Sequence, residues 1–134
     1  MNIMLDTNVI ISAIVFGGQA GLLLHKLLKS EHQIYISSYI DEEFCEKMKE
    51  KWPVKSDVSI KILHEMDIRF VKSTNQRLGE LRDEKDVPVL SDARFYNIDI
   101  LVTGDNDFLE SDIVPPPIIL SPSLMLEFLV RDED

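Results

Sequence analysis

Five short apolar runs, NIML from Asn2, QIYIS from Gln33, IRFVK from Ile68, IDILVT from Ile98 and PPPIILS ending at Ser121, punctuate the chain, with helix-like segments between them. That alternation constrains the fold more than any other feature. Strands returning through helices run parallel, and strands this short and apolar need cover on both faces. The pattern predicts an α/β sandwich around a parallel sheet. In such folds ligands gather at the carboxyl edge of the strands.

The intervening segments carry their own signals. VIISAIVF suits either a buried helix or a continued strand, and Gly17-Gly18 breaks it. AGLLLHKLLKS then spaces Leu22, Leu23, Leu27 and Leu28 as an amphipathic helix. After Ser37-Ser38, a favourable N-cap pair, apolar residues recur at Ile40, Phe44 and Met48 up to Pro53. DVSIKILHEMD predicts a helix with Val58, Ile62 and Met66 inward, and STNQRLGELRDEK is connective. VPVLSDARFYN reads as a helix with Pro88 in its first turn. DNDFLES is a short helix or turn, and PSLMLEFLV is a last helix whose Met125, Leu126, Phe128 and Leu129 face the core or a dimer partner.

A length of 134 residues suits one domain, placed at residues 1–130, with an acidic tail at 131–134 expected to be disordered. No apolar run approaches the roughly 20 residues of a membrane span, and the first residues lack a basic n-region, so a cytoplasmic protein with no membrane contact is expected. Cys45, the single cysteine, excludes an internal disulfide and a multi-cysteine zinc site, and reads as a half-buried helix residue. The net charge of −10 argues against nucleic-acid binding through a broad positive surface.

Asp6 follows the first strand directly and Asp105 follows IDILVT, so both belong to one sheet edge. Asp86 lies on the apolar stripe of Val89, Leu90 and Ala93 at a helix start, where it would also serve as an N-cap. Glu43 sits beside Ile40 and Phe44 early in its helix, a position that also complements the helix dipole. Each acid alone has an ordinary explanation; the set does not. Like charges gathered at one edge raise each other's pKa, and divalent cations offset that cost. Hard oxygen ligands suit Mg²⁺ or Mn²⁺. Asp92 points away from the Asp86 stripe and is expected to face solvent. His25, His32 and His64 show no pairing at metal-ligand spacing.

LDTNV at the N-terminus, an acid in the helix after the second strand, an acid opening the helix before a later strand, and LVTGDNDF after that strand together resemble the PIN domain, and within it VapC-type toxins. The resemblance runs from Asn2 to about Met125. It implies a three-layer α/β/α sandwich and a Mg²⁺- or Mn²⁺-dependent nuclease acting on single-stranded RNA through water, leaving a 5′-phosphate and a 3′-hydroxyl. Asp6, Glu43, Asp86 and Asp105 match the family's four acids, with Glu42 one residue out of register as a substitute for Glu43. Asp107 matches a further metal-binding acid, Asp83 is a weaker addition, and Asn8 and Thr103 match polar residues that orient carboxylates or water. The resemblance also implies a cognate antitoxin and a homodimer. Lys26, Lys29, Lys47, Arg82, Lys85 and Arg94 are candidates for gripping phosphates.

Two other readings fit parts of the sequence. A HAD-type phosphatase also places an Asp after its first strand, but its pattern wants a second Asp where this chain has Asn8. A PIN-like fold that keeps its acids for structure or weak metal binding would serve as a protein-interaction module.

Overall fold

The computed structural model describes residues 1–132. Strands β1 (Asn2–Leu5), β2 (Gln33–Ser37), β3 (Arg69–Val71), β4 (Ile100–Val102) and β5 (Ile118–Leu120) form one sheet in the order β3-β2-β1-β4-β5. All four pairings are parallel, with Ile3 opposite both Ile34 and Ile100, and Leu5 opposite Val102. In β1 the consecutive residues Ile3, Met4 and Leu5 are all buried. Because side chains alternate across a strand, both faces of the sheet are covered, giving the α/β/α sandwich that the sequence predicts. The order steps outward from β1 to β3, then restarts on the other side of β1 with β4. The switch point, where a crevice opens at the strand ends, therefore lies between β1 and β4.

Among the described residues seven α-helices connect and cover the strands: α1 (Thr7–Ile11), α2 (Gly18–Lys29), α3 (Ser38–Lys51), α4 (Ser56–His64), α5 (Val87–Phe95), α6 (Asn106–Leu109) and α7 (Pro122–Asp132). The ambiguous VIISAIVF segment is helical, running from α1 into a π-helical turn at Ser12–Phe16 that stops at Gly17, whose φ of 74° favours glycine. Ser37 caps α3 by accepting from the Ile40 N–H, and Ile40, Phe44 and Met48 are buried in register. No single helix among the described residues is long and apolar enough to cross a membrane.

Three packing expectations are corrected. In α2 the buried stripe is Ala20, Leu23, Leu24 and Leu27, while Leu22 is exposed and Leu28 half-buried. In α4 Val58 and Ile62 face outward, and Ser56, Ser59 and Leu63 face inward, with α4 packed against α3; Met66 packs on the core from beyond the helix. In α7 Met125, Leu126 and Leu129 are core as expected, whereas Phe128 is exposed. Arg131 and Asp132 continue α7 rather than starting a tail, and residues 133–134 lie outside the described residues.

Asp92 is the clearest departure. Its carboxylate is fully buried, accepting from the Ser73 hydroxyl at 2.8 Å and the Thr74 N–H at 2.7 Å. The side of α5 away from the Asp86 stripe is covered by the connection after β3, and Asp92 holds that connection down.

Candidate active site

Asp6 terminates β1. Its backbone N–H continues the sheet by donating to the Val102 carbonyl at 2.9 Å, and its side chain then caps α1, with Oδ1 accepting from the Thr7 N–H at 2.8 Å. Its Oδ2 accepts from the Thr103 hydroxyl at 2.8 Å. Thr103 Oγ1 in turn accepts from the Asp105 N–H at 3.0 Å, so one buried hydroxyl ties the ends of β1 and β4 together. Asp105 caps α6 through the Asp107 N–H at 2.9 Å. Both strand-end acids are thus oriented by the start of the next helix.

Asp86 arrives from the other direction, on the short 3₁₀ turn (Glu84–Asp86) that leads into α5. It does not cap α5 with its side chain; Asp83 caps the turn instead, accepting from the Lys85 N–H at 3.0 Å. Asp86 is buried, its carboxyl lies against Asp105, and its Oδ2 has no hydrogen-bond partner. Glu43 approaches from α3, close enough for its charge to act on Asp6, while the exposed Glu42 acts on Cys45 on another flank. Carboxylate oxygens of Asp83, Asp86 and Asp107 also fall within 4.8 Å of one another. The structure therefore brings Asp6, Glu43, Asp86 and Asp105 to one edge, with Asp83 and Asp107 on its rim.

Concentrating these charges is expensive. Two ionised carboxylates about 4–5 Å apart repel by roughly 3–4 kcal/mol at an effective dielectric near 20, a large fraction of a domain's net stability. The titration behaviour reflects it. Burial pushes the Asp6 carboxyl above its ordinary range against the lowering pull of Thr103 and Thr7, with Glu43 and Asp105 adding to the rise. Burial, then the charges of Asp105 and Asp6, push Asp86 up to about 7. A partnerless buried carboxylate oxygen among hard oxygen donors is the chemistry that a divalent cation such as Mg²⁺ or Mn²⁺ satisfies.

Three residues at the pocket gave no signal in the sequence or only a generic one. Tyr39, in the first turn of α3, donates its hydroxyl to the Lys85 carbonyl at 3.0 Å, bridging α3 to the Asp86 turn. Burial raises its phenol pKa, and Glu43, Asp86, Asp6 and Asp83 raise it further, so four separate acids converge on it. Lys47 lies 4.0 Å from Glu43 and donates to Asn8 Oδ1 at 3.4 Å, which links α3 to α1. Arg82 pairs with Asp107. Of the other candidate cations, Arg94 is committed to structure, donating to the carbonyls of Leu78, Val114 and Pro116.

Comparison with known proteins bears on the fold and the family. No curated protein matches the sequence. Among solved structures, the chain is similar to VapBC2 from Rickettsia felis bound to a DNA fragment from its promoter, with a TM-score of 0.71 at 23% identity over 90% of this chain and 98% of that one. It is similar to Mycobacterium tuberculosis VapC20, a sarcin-ricin loop cleaving toxin, with a TM-score of 0.60 at 13% identity over 84% and 96%. It is also similar to FitAB bound to an IR36 DNA fragment, with a TM-score of 0.66 at 19% identity over 90% and 94%. At these identities the likeness establishes the fold. The family profile described as "PIN domain" matches residues 2–107, most of the chain and every acid of the pocket, and the chain belongs to the PIN domain family.

Proposed function

We propose that the protein is a Mg²⁺- or Mn²⁺-dependent endoribonuclease cleaving single-stranded RNA, and that it acts as the toxin of a type II toxin–antitoxin pair. The observation that carries this reading is that Asp6, Glu43, Asp86 and Asp105 lie close enough for their charges to act on one another, with a buried, partnerless oxygen on Asp86. That a protein of similar fold, VapC20, is a sarcin-ricin loop cleaving toxin supports it.

Asp6, Asp86 and Asp105 would hold the cation, with Glu43 and Asp107 completing the set. A divalent ion there supplies charge neutralisation at phosphorus and a lowered pKa for water. Thr103 fixes the strand-end carboxylates so that they need not reorganise during turnover. Asn8, held by Lys47, faces the same edge and would orient substrate or water. Lys47 and Arg82 are the cations placed to meet a phosphate, and the Arg82–Asp107 pair would open as RNA enters.

A cognate antitoxin would cover the acidic pocket with a cationic segment, and the active form would be a homodimer, testable by light scattering. Purified protein incubated with single-stranded RNA and Mg²⁺ or Mn²⁺ should yield fragments with 5′-phosphates, and Asp6→Asn should lower the rate at least about 100-fold. Failure of the wild type to cut any RNA with any divalent ion, while binding a protein partner tightly, would favour the interaction-module reading.

A further inference from the structure

Helix α3 carries ligating side chains on two flanks. Glu43 faces the acidic pocket; Asp41 and Cys45 stand two residues to either side of it, about 200° round the helix at 3.6 residues per turn. Spaced i, i+4, they share the flank against which α4 packs. His64, the last residue of α4, meets them there. Its Nε2 lies 2.8 Å from Asp41 Oδ1 and 3.0 Å from Oδ2, and Cys45 Sγ lies 3.9 Å from Asp41 Oδ1. All three donor atoms fall within 4.8 Å of one another. The imidazole is held edge-on against Phe70, with ring centroids 5.6 Å apart and planes at 88°.

We infer that Asp41, Cys45 and His64 form a binding site for Zn²⁺ or a similar thiophilic divalent ion, separate from the acidic pocket and independent of the nuclease reading. The chain's one cysteine and one of its three histidines come from different helices to meet around one carboxylate. A tetrahedral zinc with sulfur, nitrogen and oxygen ligands sets its donors roughly 3.3–3.6 Å apart. The observed spacings of 2.8 and 3.9 Å to Asp41 bracket that range, and the third lies within 4.8 Å, so small side-chain adjustments would bring the three donors to a common ion. Thiolate and imidazole select zinc over the hard ions suited to the pocket. A thiolate, a carboxylate and a neutral imidazole together balance a doubly charged ion, and the thiol proton passes to solvent on binding. His64 is exposed, leaving the fourth coordination position to water. The ion would clamp α4 to α3, the helix that presents Glu43.

Titration of the full chain with Co²⁺, a spectroscopic substitute for zinc, tests the site. The expected result is a thiolate-to-cobalt charge-transfer band that saturates at one equivalent and is displaced by Zn²⁺. It should be unchanged in the Asp6→Asn variant, absent in Cys45→Ser and at least tenfold weaker in affinity in His64→Ala. Both positions lie outside the fully buried core, so circular dichroism of the metal-free variants should show the wild-type fold, with His64→Ala melting somewhat lower for loss of its bond to Asp41. Absence of the band in wild-type protein, or its persistence with unchanged affinity in His64→Ala, would overturn the inference. The acidic pocket has no thiolate and cannot produce this band, so failure here leaves the RNA-cleavage result unaffected, and the converse holds.

Discussion

Thr103 does two jobs with one hydroxyl, donating to Asp6 and accepting from the Asp105 N–H. Thr103→Val keeps its shape but removes both bonds, and should cost about 1–3 kcal/mol of stability and lower RNA cleavage about 10–100-fold. Asp86 gives the pH dependence. With its folded-state pKa raised to about 7, the metal-free protein retains a proton that the unfolded chain releases near pH 4. Stability from this group is therefore present at low pH and lost as pH climbs to 7. Melting curves should show metal-free protein losing stability between pH 5 and 7. Mg²⁺ should stabilise it more at pH 8 than at pH 5.5, and Asp86→Asn should shrink the difference, leaving the part due to Asp6, whose carboxyl pKa is also raised by burial. A Mg²⁺ effect independent of pH would contradict this account.

Among the elements, α3 and α5 show where sequence patterning suffices and where it fails. Ile40, Phe44 and Met48 recur at helical spacing and are buried; Asp6 and Asp105 were legible because each ends an apolar run and the parallel sheet fixes which edge that is. Glu43 rather than Glu42 could be placed beside Asp6 only once α3 was docked. Tyr39 gives no sequence signal as a pocket residue, and Lys47 is only one of six candidate cations, because their partners, Lys85 and Asn8, are distant in sequence. In α4 the larger apolar residues suggest the wrong face: Ser56, Ser59 and Leu63 are buried while Val58 and Ile62 are exposed. Leu63→Ala should cost about 2–5 kcal/mol, whereas Val58→Ala should stay within about 0.5 kcal/mol. A helical wheel turns Asp92 toward solvent because it carries no information about a loop folding over the back of the helix. Asp92→Ala should cost about 3 kcal/mol by urea denaturation, with the midpoint lowered and the slope unchanged.

At the scale of the whole molecule, the order β3-β2-β1-β4-β5 puts its switch point between the two strands that end in Asp6 and Asp105. The fold supplies the crevice and the sequence fills it with negative charge. A protein of net charge −10 can then approach a polyanion only through a few local cations such as Lys47 and Arg82. RNA binding should weaken with salt at a slope near −2 on logarithmic axes, from about −0.7 per phosphate contacted; a slope beyond about −5 would require a broad cationic surface. The central claim, that these acids coexist because divalent ions neutralise them, is tested most directly by anomalous diffraction from crystals soaked in Mn²⁺. The account predicts a strong anomalous peak among the carboxylates of Asp6, Asp86 and Asp105 that vanishes in Asp6→Asn crystals. A well-ordered pocket with no peak at millimolar Mn²⁺ would contradict it.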